Sequence, residues 1–251
     1  MKRRWLVLIG ILAFLVAAVL HAPADRLYAA LSTRQPEPAL ALHGVHGTLS
    51  EGGVAGISLN RRAWLGEIDW RLRPAWLALL RLTADVEMRG DPQLQLTISR
   101  SVLGRLRLNN LDAQGTVKSL LLLAGLPPLP VEGQAHLLID SVQFSAGLPT
   151  QVDGLAEIHG LIWTLAREPM VLGDFNANLA SDDKGVFAQL ASAAGPIELS
   201  GEARLALDRS WDFHLQVKPR PEATPQVLAL VRSLGNPDSG GWYHLRRRGT
   251  L

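Results

Sequence analysis

The sequence predicts a mainly β fold, in which an N-terminal transmembrane helix is followed by a curved antiparallel β-sheet with a few short helices. Three observations predict this fold. Apolar and polar residues alternate through much of the chain, glycines recur inside the predicted strands, and one uncharged apolar run follows a basic N-terminus. With 251 residues, 47% of them hydrophobic, the chain can bury a core, which excludes disorder of the whole chain.

The first element is an uncharged apolar run over residues 5–20, directly behind the basic residues 2–4. Positive charge before an apolar segment indicates a cytoplasmic start and an exported remainder. Extended to residue 22, the run spans roughly 27 Å as a helix, close to the bilayer's hydrocarbon core of about 30 Å. A cleaved signal peptide is the alternative, because Ala22-Pro23-Ala24 resembles a small-residue cleavage pattern. The length of the run favours an anchor.

No later apolar stretch reaches spanning length, so we expect a single-pass membrane protein. We predict a cytoplasmic tail at residues 1–4, a transmembrane helix at 5–22, a proline-containing connector at 23–38 and a β-rich domain at 39–251. This topology predicts an inner-membrane protein whose N-terminus is cytoplasmic and whose main domain is periplasmic.

Alternation with a period of two residues predicts the strands. Apolar residues occupy every second position in six segments, which are residues 68–72, 82–88, 94–98, 106–108, 186–190 and 211–217. One face of each predicted strand is therefore apolar and the other solvated, which favours an antiparallel meander over a parallel sheet.

A weak internal repeat predicts where the sheet bends. Residues 131–140 and 199–208 both follow the pattern apolar-x-Gly-x-Ala-x-Leu-x-apolar-Asp, and residues 152–158 resemble its first half. Glycine inside a strand marks a bulge, a bend or a close approach of another backbone. We therefore predict such features at Gly133 and Gly201. Chance alignment of similar amphipathic strands is the alternative explanation of the repeat.

Helix is predicted only in three short segments. Pro74 at a first helical turn begins one segment that runs to residue 80. Residues 119–124 and 225–234 form the other two, and Gly125 and Gly235 end them.

Composition excludes several kinds of chemistry. The chain has no cysteine, which excludes disulfides, thiolate metal sites and thiol nucleophiles. The net charge is +2, and the basic residues are dispersed except in residues 2–4 and 246–248, so no nucleic-acid partner is expected. The sequence also lacks phosphate-loop, zinc-protease and serine-hydrolase patterns.

Three further segments are predicted to be structural. The glycine-rich residues 44–56 lack a following helix that would hold phosphate, so we predict turns between short strands. His43 and His46 have no carboxylates to complete a metal site. Asp182 and Asp183 precede Lys184-Gly185 and are predicted to form a turn. We therefore expect no enzymatic activity, no catalytic residue, no metal and no cofactor.

Exposed aromatic and arginine side chains are the candidates for a binding surface. Trp, Tyr and Arg are enriched at the energetic centres of protein interfaces. On this basis we predict an interface that includes Trp70, Arg73, Trp76, Trp242 and Tyr243. Burial in the core is the alternative for each tryptophan.

Two segments carry a resemblance to a known family. Residues 70–80 contain Trp-x-Leu-x-Pro followed by a leucine-rich run. Residues 234–245 contain Leu-Gly-x-Pro-x-x-x-Gly, and residues 249–251 are Gly-x-Leu. Residues 172–175, Leu-Gly-Asp-Phe, match more loosely. With these patterns the chain resembles the type II secretion system protein N family over essentially its whole length.

The resemblance implies an accessory inner-membrane component of the type II, or general, secretion pathway, which exports folded proteins across the outer membrane. It implies protein contacts with other components, such as the secretin or inner-membrane platform proteins, and neither a cofactor nor an active site. A curved sheet with one apolar face also resembles AsmA-like proteins, whose sheet would be half-open or a sandwich. The alternative function is therefore a periplasmic lipid-binding or lipid-transport protein.

Overall fold

The computed structural model describes residues 14, 17–32, 40–59, 63–75, 81–102, 104–127, 129–165 and 168–250. These residues fall into two compact units, divided between Gly90 and Asp91. Both units consist mainly of antiparallel strands with a few short helices, which confirms the predicted mainly β class.

In the described residues of the first unit, one helix and five strands have defined bounds. Helix α1 spans Ala24–Ser32, and the strands are β1 (Leu40–Gly47), β2 (Glu51–Leu59), β3 (Ala63–Leu65), β4 (Glu67–Leu72) and β5 (Arg81–Arg89). The strand order is β1-β2-β4-β5, all antiparallel, and β3 also pairs with β2. The predicted strand segments 68–72 and 82–88 correspond to β4 and β5.

The part of the second unit that the structure describes has nine strands and two helices. The strands are β6 (Gln93–Ser101), β7 (Leu106–Thr116), β8 (Val131–Ser145), β9 (Leu148–Trp163), β10 (Met170–Asp182), β11 (Gly185–Ala194), β12 (Ile197–Ala206), β13 (Ser210–Pro219) and β14 (Tyr243–Thr250). The helices are α2 (Val117–Leu123) and α3 (Pro225–Arg232). Each strand pairs with the next one along the chain, so the sheet is the predicted antiparallel meander.

The register of the second unit places apolar residues in rows across the sheet. One row of paired positions crosses all nine strands and consists of Leu94, Ala113, Leu137, Ala156, Ala177, Leu190, Gly201, Leu215 and Leu245. The adjacent row belongs to the opposite face and is mainly polar: Gln93, Gln114, His136, Glu157, Asn176, Ala191, Ser200, Gln216 and His244. The alternation in the sequence therefore separates an apolar face from a polar face.

The two repeat glycines have different structural roles. Gly133 has a φ of +147°, and the pairing of β8 with β9 shifts register between Glu132 and Gln134. Gly133 is thus at a bulge. At Gly201 a side chain would collide with the carbonyl oxygen of His214 on β13. The predictions of a bulge at Gly133 and of a close backbone approach at Gly201 are confirmed.

Helix α3 forms the main core cluster of the second unit. Val227 and Val231 are almost fully buried and pack with Ile197, Val217 and Tyr243. The sequence determines the start of this helix, because Thr224 accepts a hydrogen bond from the Val227 amide and Pro225 occupies the first turn. Helices α2 and α3 confirm two of the predicted helices with small changes at their ends.

Helix α1 was not predicted, and it lies within the segment assigned to the connector. Pro23 precedes it and Asp25 is in its first turn, both of which favour a helix start. Its Tyr28 hydroxyl accepts a hydrogen bond from the Leu42 amide, at 3.1 Å, which fixes the helix against β1. These start signals are hard to recognise in the sequence because they directly follow the long apolar run.

Two predicted helices lie wholly or partly outside the described residues. The predicted transmembrane segment, residues 5–22, is largely outside them, as are residues 76–80 of the predicted helix after Pro74. Among the residues that are described, no helix is long and apolar enough to cross a membrane.

Candidate functional site

On the polar face of the second unit, Arg204 of β12 makes ion pairs within its own strand and with the end of β10. Arg204 contacts Asp182 at 2.7 Å and Glu202 at 3.1 Å, and its guanidinium lies 4.8 Å from the centre of the Phe187 ring. The hydrogen bond from Arg204 lowers the pKa of Asp182, and the same contact raises the pKa of Arg204. These contacts keep both groups charged at neutral pH.

The acidic pair predicted as a turn forms the connection between β10 and β11. The Asp182 carboxylate accepts hydrogen bonds from the backbone amides of Lys184 and Gly185, at 2.9 and 3.1 Å. A short aspartate side chain that binds amides two and three residues ahead is typical of a tight turn. The turn prediction is therefore confirmed.

The histidines are held by separate local contacts. His136 donates to Asp112 on the adjacent strand, at 2.9 Å. In the first unit, His43 hydrogen-bonds to the Ser58 hydroxyl at 2.9 Å and His46 to the Gly44 carbonyl at 3.1 Å. Within the described ranges, no group of three or more His, Asp or Glu side chains is placed to hold a metal ion.

The apolar face of the second unit contains an open groove of about 400 Å³. Its lining is almost entirely apolar and includes Val152, Leu179, Val186, Leu205, Trp211 and Phe213. These residues come from β9 to β13, at the end of the strands where β10 turns into β11. The groove has the surface chemistry of a site for an apolar group.

The loop before β14 is held by Asp238. Its carboxylate accepts hydrogen bonds from the amides of Gly240 and Trp242, at 2.8 and 2.9 Å, and from the His244 ring at 2.9 Å. The His244 contact, followed by these amide contacts, lowers the pKa of Asp238. The loop therefore enters β14 in a defined direction.

Strand β14 itself carries a run of basic side chains. Its residues Tyr243 to Thr250 pair with β13 on one side. In the part of the chain that the structure describes, no strand pairs with its other side. Arg246, Arg247 and Arg248 are all exposed, and none of them makes an ion pair with another described residue.

Two predicted interface residues lie in or directly after β4 of the first unit. Trp70 is half-buried and donates from its indole nitrogen to the Leu49 carbonyl, at 3.1 Å. Arg73 is exposed and contacts Asp85 at 2.6 Å. Trp70 therefore contributes to packing within the unit, while Arg73 remains accessible to a partner.

The other predicted interface residues are Trp76, Trp242 and Tyr243. Trp242 is half-buried, and the Lys218 ammonium lies 5.6 Å from the centre of its ring. Tyr243 is only 8% exposed and belongs to the core cluster with α3. Trp76 lies outside the described residues. The structure thus brings Trp242 and Tyr243 together at the start of β14, and their role in an interface remains a prediction.

Residues 246–248 stand out in the sequence, but the sequence alone predicts no role for them. The signal was three consecutive arginines in a chain whose basic residues are otherwise dispersed. What the sequence did not reveal was that these residues lie on an edge strand.

The segments that carry the family resemblance have structural roles. Gly173 has a φ of +112° and is flanked by register shifts between β9 and β10, so the Leu-Gly-Asp-Phe segment forms a bulge. Gly249 pairs with Trp211, and a methyl group at Gly249 would lie 2.7 Å from the Trp211 ring. The Gly-x-Leu pattern therefore includes a glycine that the packing of a tryptophan requires.

Comparisons with known proteins agree with these patterns. The model of the family described as type II secretion system, protein N matches residues 38–246, which include β1 to β13 and the first half of β14. The chain is 29% identical over 225 residues to a type II secretion system protein N from Aeromonas hydrophila, and the alignment covers 86% of each chain. No solved structure matches this chain.

Proposed function

We propose, from the premise that the chain belongs to the type II secretion system protein N family, that it is an accessory inner-membrane component of this system. The family match over residues 38–246 covers nearly all of the β-rich part of the chain. The protein is thus a type II secretion component. In the proposal it supports the export of folded proteins across the outer membrane through contacts with other components.

The surfaces of the second unit support a role through contacts. The polar face presents charged groups that ion pairs hold in place, such as Arg204 between Asp182 of β10 and Glu202 of its own strand. Strand β14 offers an edge with three exposed arginines. Fixed charges and an open edge are features by which a protein recognises a partner. The secretin and the inner-membrane platform proteins are the proposed partners.

The proposed location follows from the beginning of the sequence. Three basic residues precede an apolar run over residues 5–20, which favours a cytoplasmic N-terminus and a periplasmic main domain. In this arrangement the β-rich part lies in the compartment that folded exoproteins cross on their way to the outer membrane.

The lipid-binding alternative has less support. The apolar groove lined by Val152, Leu179 and Trp211 is a feature that an acyl chain could occupy. The family match, however, is to a secretion component. The proposal therefore assigns the sheet to protein contacts.

Export from a deletion strain tests the proposed function. We expect folded exoproteins to collect in the periplasm of the strain, and the full-length gene to restore their release. The measurement is the fraction of an exoprotein in medium, periplasm and cytoplasm, with a cytoplasmic enzyme as the control for lysis. Normal export together with altered outer-membrane permeability would contradict the proposal and favour lipid handling.

A further inference from the structure

The outer side of β14 combines two features that one kind of partner can satisfy. The first is charge, because Arg246, Arg247 and Arg248 are consecutive and exposed. On the adjacent strand β13, the residues directly opposite them are His214, Phe213 and Asp212. One carboxylate thus faces three guanidinium groups, and this edge carries a net positive charge.

The second feature is the backbone of the strand. The Arg247 guanidinium donates to the carbonyl oxygen of Arg246, at 3.1 Å, so this carbonyl accepts a donor from outside β13. In an antiparallel ladder, alternate residues direct their backbone groups to the same side. The register of β14 with β13 has no shift, so His244, Arg246 and Arg248 direct their amides and carbonyls to the same side.

We propose that the outer side of β14 binds an extended acidic polypeptide segment, which adds to the sheet as a further strand. This inference rests on the proposed function, because the segment would belong to another component of the secretion system. The backbone of the segment pairs with the amides and carbonyls of His244, Arg246 and Arg248 and displaces the Arg247 guanidinium from the Arg246 carbonyl. Its carboxylates pair with Arg246 and Arg248, which lie on one face of β14, and these ion pairs select the partner.

A polypeptide fits this edge better than the other anionic surfaces available to a membrane protein. A lipid headgroup neutralises arginine but cannot pair with a row of alternating amides and carbonyls, whereas a strand does both. A second copy of the same chain is also disfavoured, because two β14 strands side by side would bring three arginines against three. The edge therefore repels itself and attracts acidic strands.

Charged residues on an edge strand also protect proteins from random pairing. If the arginines are only protective, any affinity of β14 for an acidic strand should not depend on backbone pairing. Binding measurements that separate charge from backbone pairing therefore distinguish protection from recognition.

The test uses the purified full-length protein in detergent and a short fluorescent peptide of alternating Glu and Val, with fluorescence anisotropy as the readout. A second peptide has the same sequence but N-methylated backbone nitrogens at alternate positions, so it keeps its charge and cannot pair as a strand. The protein variant is R246E/R248E. The matched control is R105E/R107E, which reverses two exposed arginines in and directly before β7, a strand paired on both sides.

We expect the wild type and the R105E/R107E control to bind the acidic peptide, and R246E/R248E to bind it roughly tenfold more weakly or worse. N-methylation should weaken binding by a similar factor, since it removes backbone pairing. If the glutamate variant does not fold by circular dichroism, R246Q/R248Q removes the charges without introducing opposite ones.

Three results would overturn the inference. If the N-methylated peptide binds as tightly as the unmodified peptide, backbone pairing does not contribute and the binding is non-specific charge attraction. If R246E/R248E binds the peptide as tightly as the wild type does, the arginines do not contribute to recognition. Binding of phosphatidylglycerol vesicles through these arginines without binding of the peptide would assign the edge to the membrane surface.

The two proposals fail in different ways. If export is normal in the deletion strain, the proposed function fails whatever the peptide does. If export requires the protein but R246E/R248E binds the peptide as the wild type does, only the assignment of β14 fails.

Discussion

Glycine residues that face a neighbouring strand or a large ring determine where the strands can approach closely. Gly52 pairs with Trp70 and Gly249 pairs with Trp211, and in each case a methyl group on the glycine would lie 2.7 Å from the tryptophan ring. A tryptophan that covers a glycine on the next strand replaces the packing that the glycine lacks. These pairs bury aromatic surface without a bulky residue on both strands.

Gly201 provides the sharpest test at this scale. We expect Gly201→Val to lower the stability by about 2 kcal/mol or more, because its side chain would collide with the His214 carbonyl. Gly133→Val should act similarly, since Gly133 has a φ of +147°. Ser200→Val is the matched control, because residue 200 is exposed on the polar face of the same strand. The measurement is the midpoint of thermal unfolding, and an unchanged midpoint in both glycine variants would contradict the role assigned to these residues.

At the scale of elements, Asp91 links the beginning of the second unit to helix α2. Its carboxylate accepts hydrogen bonds from the Thr116 amide and hydroxyl, at 2.9 and 2.8 Å, and from the Ser119 hydroxyl at 2.7 Å. Thr116 is also the N-cap of α2. One carboxylate therefore holds together the end of β7 and the start of the helix.

This network makes stability depend on pH. Burial raises the pKa of Asp91, but the hydrogen bonds from Ser119 and Thr116 outweigh it, so the pKa lies below its usual value. A lowered pKa in the folded state stabilises the protein above the usual aspartate value, near 4, and this contribution disappears as the pH falls through the folded-state pKa.

We therefore expect Asp91→Asn to unfold at a lower temperature than the wild type at pH 7, with a smaller difference at pH 3. Asp140→Asn is the control for loss of an exposed aspartate elsewhere in the sheet. Unfolding followed by circular dichroism across this pH range gives the difference. If the difference between wild type and Asp91→Asn is independent of pH, the charge of Asp91 does not stabilise the network.

The elements differ in how far the sequence predicts them. The strands were predictable because alternation persists through them, as in β13, where Trp211, Phe213 and Leu215 share one face. Helices α2 and α3 were predictable from the glycines that follow them. Helix α1 was missed, since its starting signals at Pro23 and Asp25 directly follow the apolar run. Amphipathic strands of similar composition show the same alternation in the sequence. The sequence therefore did not indicate how the strands divide between the two units.

In the whole molecule, the family resemblance was visible in the sequence because its patterns include glycines that the fold requires, such as Gly173 and Gly249. The candidate surface was less predictable. Trp242 and Tyr243 were selected from their residue types, yet Tyr243 is buried against α3. The arginines 246–248 were visible in the sequence, but only the order of the strands places them on an edge. Residue type alone does not distinguish a core aromatic residue from an interface residue.

We propose that the β-rich part acts in secretion through contacts with other components of the system. Photocrosslinking in living cells tests this proposal. A photoreactive amino acid replaces exposed Arg73, half-buried Trp242 or exposed Gln189, and buried Val227 serves as the control position. Mass spectrometry identifies the captured molecules. We expect a secretin or platform protein from at least one of the first three positions and nothing from residue 227, whereas capture of lipid alone at all three would contradict the proposal.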